Sequence, residues 1–182
     1  AAWMGFSFGL GFFSAGISWI YVALHDYGNM PMLLALPATL SFAAFLALFP
    51  ALVGYAQVRI AAVGWVRVLL LMPALWVLIE WLRGTIFTGF PWLVLGYAQS
   101  DSPLAGYAPV LGVYGVSLVV AVSAGLMAYL FNFRWTIQGQ LALAALLLLW
   151  VGGALLRNVS WTYPHGEPVR VALVQGNIAQ DM

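Results

Sequence analysis

The chain has 182 residues, 64% of them hydrophobic and 6% charged, with a net charge of +1 and a mean hydropathy of +0.99. Soluble domains carry roughly 25% charged residues and need them on their surfaces, so this composition excludes a water-soluble globule and specifies a polytopic α-helical membrane protein. Its six basic residues, all arginine and scattered singly, exclude nucleic-acid binding, which wants clustered positive charge.

Five segments are long and apolar enough to span: Ala1 to Leu24, Met32 to Val58, Val63 to Leu82, Ala108 to Phe131 and Ile137 to Leu156. Each approaches the ~20 residues that cross ~30 Å of hydrocarbon as a helix. None shows the every-second-residue alternation of a lipid-facing β-barrel strand. The first is rich in small residues, with Gly5 and Gly9 in a GxxxG pair and Ser14 and Ser18 repeating the spacing. Small residues let helix backbones approach closely where lipid supplies no hydrophobic drive, and packing within the bundle is the expected use. Pro37 and Pro50 predict a kink or early end in the second span. Arg59 and Arg67 are placed in the connection between spans two and three, and Arg134 in that between spans four and five. The positive-inside rule makes these loops cytoplasmic. The His25–Met30 loop, the Arg83–Tyr107 region and everything after Leu156 then share the other side.

After the last span the character changes. The pattern divides the chain into a helical domain at 1–157, a polar and turn-rich linker at 158–168, and a segment at 169–182. That last segment opens with a strand-like run, Val169 to Gln175. Such a strand needs partners, so it reads as the start of a truncated α/β domain. The chain's opening in mid-hydrophobic style, without an initiator Met, reads as that of an internal fragment.

The run from Glu80 to Tyr97, EWLRGTIFTGFPWLVLGY, concentrates chemistry. Glu80 and Arg83 are three residues apart where an apolar segment ends, and the turn-forming Gly89-Phe90-Pro91-Trp92 follows. Ionisable groups at membrane depth are expensive and mark functional sites by default. Arg83 can bind a lipid phosphate or pair with Glu80 one helical turn away. Trp92 can line a lipid cavity or anchor the interface as a belt tryptophan, and Tyr97 and Tyr107 read as belt aromatics. Phe87, Phe90, Trp92, Leu93 and Leu95 suit an interfacial element whose turn Pro91 fixes. Gln99 and Asp101 read as loop caps. His25 and Asp26 are adjacent and do not face each other on a helix, which leaves them an interfacial role.

These residues carry a resemblance. The Glu80–Tyr97 run, Ser102-Pro103-Leu104, Gly106-Tyr107-Ala108-Pro109-Val110 and Gly112-Val-Tyr-Gly115 resemble the bacterial apolipoprotein N-acyltransferase family. Gly16-Ile-Ser-Trp19 before a Tyr-Gly turn and Pro31 is similar to its third transmembrane helix. The terminal VALVQGNIAQDM is similar to the opening strand of its nitrilase-like domain. The likeness runs in consistent order through nearly the whole chain and departs at Thr85, where an aromatic is often seen.

The resemblance implies an inner-membrane enzyme of eight helices with a periplasmic nitrilase-like domain, of which this chain holds helices three to seven. It implies transfer of a fatty acyl chain from a phospholipid donor to the α-amine of an apolipoprotein's diacylglyceryl cysteine. The chemistry is a Glu-Lys-Cys constellation, with cysteine forming a thioester, glutamate as base and lysine stabilising the oxyanion. The chain contains no Cys and no Lys, and no motif match makes Glu167 the base. No catalytic residue, metal site or cofactor is therefore assigned here. The lipid-binding set is Glu80, Arg83, Phe90, Pro91, Trp92 and Tyr97, facing the bilayer, the phospholipid and the apolipoprotein; no oligomeric state is specified. A transporter or channel bundle and a non-enzymatic anchor subunit stay open. Charges at span ends rather than mid-span count against the transporter, and the missing nucleophile favours the anchor.

Overall fold

The computed structural model describes residues 1–60, 64–133 and 135–176. Its elements are α1 (Ala2–Gly16), α2 (Trp19–Tyr27), α3 (Met32–Arg59), α4 (Gly64–Arg83), α5 (Ala108–Phe133) and α6 (Ile137–Arg157). The last four are each long and apolar enough to cross a membrane, and α1 with α2 makes a fifth candidate bent by 50°. The five expected segments are thus present, the first in two pieces.

The break in that span has a local cause. Ile17 is fully buried and the Ser18 hydroxyl donates to the Ala15 carbonyl at 3.1 Å. A Cβ on Gly16 would lie 2.2 Å from Leu93 Cδ1, so Leu93 from a distant loop sits where a helical side chain would be. Beyond the bend the chain ends in a π-turn, Ala23–Tyr27, and His25 Nδ1 lies 2.8 Å from the Met30 carbonyl. His25 therefore closes the turn into α3.

Helix α3 does not end early at its prolines. It stays helical over 28 residues with Pro37 and Pro50 inside it. In an apolar surround, opening the backbone would expose groups with no water to bond, so transmembrane helices tolerate proline that soluble ones do not. Pro50 is also clasped by α1: a Cβ at Gly5 would be 2.3 Å from the Pro50 carbonyl oxygen, and one at Gly9 would be 2.9 Å from Ala47 Cα. The GxxxG pair thus packs within the bundle, as its spacing predicts.

Arg67 is not in a connection. It opens a π-turn, Arg67–Leu71, inside α4, while Arg134 lies outside the described residues. Helix α5 is interrupted at Gly112, whose φ of +66° and ψ of −177° belong to a region essentially reserved for glycine. Two apolar clusters result. Phe13, Ile17, Ala43 and Leu46 join α1 to α3, and Leu104, Val116 and Val119 join α5 to the preceding loop.

Among the described residues there is no strand. Val169 to Gln175 runs without regular structure and exposed, because a strand is defined by a ladder to a neighbour and this segment has none beside it. The rest of the terminal motif, 177–182, lies outside the described residues.

The clasp between α1 and α3 is testable. Gly5→Ala should destabilise the bundle by about 1–3 kcal/mol, since the new methyl meets backbone rather than a movable side chain. Gly11→Ala, which meets nothing within 4 Å, should be neutral or gain up to ~1 kcal/mol of helix propensity. Detergent-titrated unfolding followed by circular dichroism separates them, and equal midpoints would remove the clasp from the account.

Candidate functional site: a tethered aromatic loop

Between α4 and α5 the chain has only short 3-10 turns, at Ile86–Thr88, Tyr97–Gln99 and Pro103–Tyr107. Backbone outside a helix must find other hydrogen-bond partners, most urgently where water is excluded. This loop finds them in a few buried side chains.

Arg83, 4% exposed, donates through Nη1 to the Phe90 carbonyl at 2.7 Å and also to the Trp92 carbonyl. Glu80, 3% exposed, accepts at Oε1 from Trp76 Nε1 and from the Leu95 backbone N–H, each at 3.0 Å. Fully buried Ser117 on α5 accepts from the Gly96 N–H at 2.9 Å. Farther on, Arg157 at the end of α6 donates to the Asp101 and Ser102 carbonyls, and the Tyr107 hydroxyl donates to the Leu149 carbonyl at 2.8 Å.

The expected Glu80–Arg83 ion pair does not form. No salt bridge joins them, and Glu80 Oε2 has no hydrogen-bond partner. Each charge serves the loop backbone instead, and the guanidinium also lies 5.2 Å over the Phe13 ring, a cation–π contact that is worth most when desolvated. The carboxylate borders a void of about 20 Å³ shared with Phe13, Pro50, Trp76 and Arg83.

The tethers hold an aromatic row. Phe42 meets Phe90 edge-on at 5.1 Å, Phe90 stacks on Trp92 at 5.9 Å, and Trp92 lies 5.4 Å from Trp19 on α2. Leu93, with φ of +58°, turns inward onto Gly16. That left-handed geometry is uncommon for a branched residue and persists only where surroundings over-determine it. Trp92 remains 49% exposed and Tyr97 61% exposed. Together with Pro91, Leu93, Val94 and Ala98 they line an open groove of about 540 Å³. On the other flank, Phe42, Phe45, Phe49, Phe87 and Phe90 enclose a second cavity of about 240 Å³ bordered by Arg83.

Depth follows from the contacts. Phe87 meets Phe45 at 6.3 Å, and Phe45 is 13 residues into α3, so α3 rises ~20 Å past that level at 1.5 Å per residue. Helix α4 therefore stops beside the middle of α3, and the charges at its end are not at the end of the bundle.

The structure thus brings together Glu80, Arg83, Phe90, Pro91, Trp92 and Tyr97, with the two charges beneath and the aromatics and proline above. Asp101 is a cap only through its carbonyl. Thr85 donates to the Trp81 and Leu82 carbonyls at 3.1 Å. Ser117, Arg157 and Gly16 are missed by sequence reasoning. A lone serine in an apolar span or a glycine before a bend carries no signal of its partner.

If the tethers are unequal, so are their losses. Arg83→Met leaves two carbonyls unsatisfied and should cost about 3–5 kcal/mol, whereas Glu80→Gln keeps an accepting oxygen and should cost about 1 kcal/mol. Unfolding midpoints, with protease cleavage between Ile86 and Leu95 as a local readout, distinguish the two. Equal losses would return the charges to the role of a simple pair.

A family model described as the apolipoprotein N-acyltransferase N-terminal domain matches residues 1–126. A protein of Nitrosomonas europaea named apolipoprotein N-acyltransferase is 49% identical over 100% of this chain and 36% of its own length. Proteins of the same name from Methylococcus capsulatus and Coxiella burnetii are 46% and 44% identical, over 100% and 99% of this chain and 36% and 38% of theirs. The chain spans a little over a third of the length of these curated relatives.

Proposed function

Because the chain belongs to the apolipoprotein N-acyltransferase family, we propose that it forms the lipid-presenting membrane portion of an enzyme that moves a fatty acyl chain from a phospholipid to a lipoprotein's N-terminal amine. In that reaction the donor's ester bond breaks, an amide forms on the diacylglyceryl cysteine, and a lysophospholipid leaves. The setting we infer is the bacterial inner membrane, with the Gly84–Tyr107 loop opening toward the periplasmic side, where a nitrilase-like catalytic domain lies. The covalent step uses residues other than these, since the chain has neither Cys nor Lys.

One observation carries the reading: a half-exposed Trp92 held above buried tethers, at the lip of an open apolar groove. Drawing an acyl chain into water costs about 0.8 kcal/mol per methylene. A groove of rings keeps the chain covered while its ester end is presented. Arg83 already has its Nη1 engaged by two loop carbonyls. Its part is to position Trp92; Phe90, Pro91, Trp92 and Tyr97 supply the contact surface.

Grafted in place of the matching third of the Nitrosomonas europaea relative, the chain should support acylation of a diacylglyceryl-cysteine lipopeptide, read as a mass shift at the amine. Trp92→Ala should lower turnover at least about tenfold, the cost of an exposed apolar contact, with membrane insertion intact; Trp92→Phe should retain most of it. Wild-type turnover in Trp92→Ala would remove the groove from the mechanism. The ungrafted chain should acylate nothing.

A further inference from the structure

A second cleft lies at the far end of α4, on the opposite side of the Glu80 tether from the aromatic groove. It has a volume of about 510 Å³ and runs between α1, the end of α3, α4 and α5, with Arg67 and Gln57 as its polar side chains among the described residues. Ala121, Ala124 and Gly125 of α5 leave it room, and Met72 and Trp76 of α4 give it an apolar wall. Arg67 is not exposed, and its buried Nε has no hydrogen-bond partner. Arg59, at the end of α3, is engaged: its Nε donates to the Tyr55 hydroxyl at 3.0 Å and its guanidinium covers that ring.

A buried unpaired N–H calls for an explanation, and a guanidinium at the mouth of an apolar cleft asks for an anion attached to something apolar. From Arg67 to Trp76 is nine residues of α4, ~13 Å along its axis. That is close to half of the ~30 Å hydrocarbon thickness, the depth of a single leaflet. Charge, polarity and depth agree on one occupant.

We propose that this cleft binds one molecule of an anionic glycerophospholipid, an acyl chain lying along Met72 and Trp76 and the phosphate accepting hydrogen bonds from Arg67. Arginine suits the task because its planar fork matches phosphate oxygens, and basic pockets between transmembrane helices are known binders of anionic headgroups. The cleft ends at Trp76 and Leu95, the residues whose N–H groups Glu80 accepts. Lipid occupancy thus presses on the underside of the tethered loop. The site is separate from the proposed acyl groove and does not require the acyl-transfer reading.

The test needs no enzymatic activity. The whole chain, purified in neutral detergent, is titrated with phosphatidylglycerol and with phosphatidylcholine of the same acyl chains, and bound lipid is counted by native mass spectrometry. One phosphatidylglycerol should bind at least about tenfold more tightly than phosphatidylcholine, whose trimethylammonium offsets the phosphate charge and repels the guanidinium, and Arg67→Gln should erase that preference. Arg67→Lys should retain part of it. Ala124→Phe, which fills the cleft and leaves Arg67 in place, should weaken both lipids. Equal binding of the two lipids by the wild type, or unchanged phosphatidylglycerol binding in both Arg67→Gln and Ala124→Phe, overturns the proposal. So does equal affinity for glycerol phosphate without acyl chains, which would make Arg67 a site for soluble anions.

Discussion

The donation of Arg83 Nη1 to both the Phe90 and the Trp92 carbonyl is the constraint on which the loop side of this bundle depends. A 24-residue connection passes level with the middle of α3 and carries backbone polar groups into a region that offers them little water. Helix and closed barrel are the usual answers to that problem, and irregular backbone survives at depth only where protein satisfies it. Here the partners are side chains: Arg83 for two carbonyls, Glu80 for the Leu95 N–H, Ser117 for the Gly96 N–H, and Arg157 for the carbonyls of Asp101 and Ser102. A chain with 6% charged residues spends several of them on this one loop.

The loop also joins the two cores. Phe90 and Leu93 pack on the cluster between α1 and α3, and Leu104 and Tyr107 belong to the one shared with α5 and α6. The tethers fix carbonyls at Phe90 and Trp92, on either side of Pro91, whose ring already restricts the backbone. With both ends of that turn held and Leu93 plugged into the bend at Gly16, the Trp92 ring has little freedom. A rigid aromatic at the edge of a groove presents area at low entropic cost, which is what recognition of a flexible acyl chain needs.

Much of this was legible in composition and little of it in pairing. Hydropathy located every long helix, because length and apolarity are one-dimensional properties. The density of chemistry at Glu80 to Tyr97 was legible for the same reason. Partners were not. Glu80 and Arg83 have the spacing of an ion pair, yet the backbone groups they serve lie 7 to 15 residues onward, and no local rule encodes that reach. Pro37 and Pro50 signal a helix end in water, and the apolar surround together with α1 carries the helix through Pro50. Arg67 looked like a loop residue because a charge near a span boundary usually is one; the π-turn draws it into the helix. The strand-like run at Val169 has the pattern without the neighbour that would make it a strand.

The arrangement separates two jobs that a lone pair of membrane charges would confuse. A carboxylate and guanidinium bonded to each other would neutralise charge but leave the loop's backbone unsatisfied, and replacing such a pair with apolar residues is often harmless. Turned outward to carbonyls and N–H groups, the same residues each have obligations that no apolar residue can meet. A single nitrogen, Arg83 Nη1, serves both carbonyls, so the position of that one donor between Phe90 and Trp92 is what the loop depends on. The charges therefore act through what they hold. Arg83 fixes the turn that carries Trp92, and Glu80 ties Trp76 to Leu95 a few residues farther along the same loop.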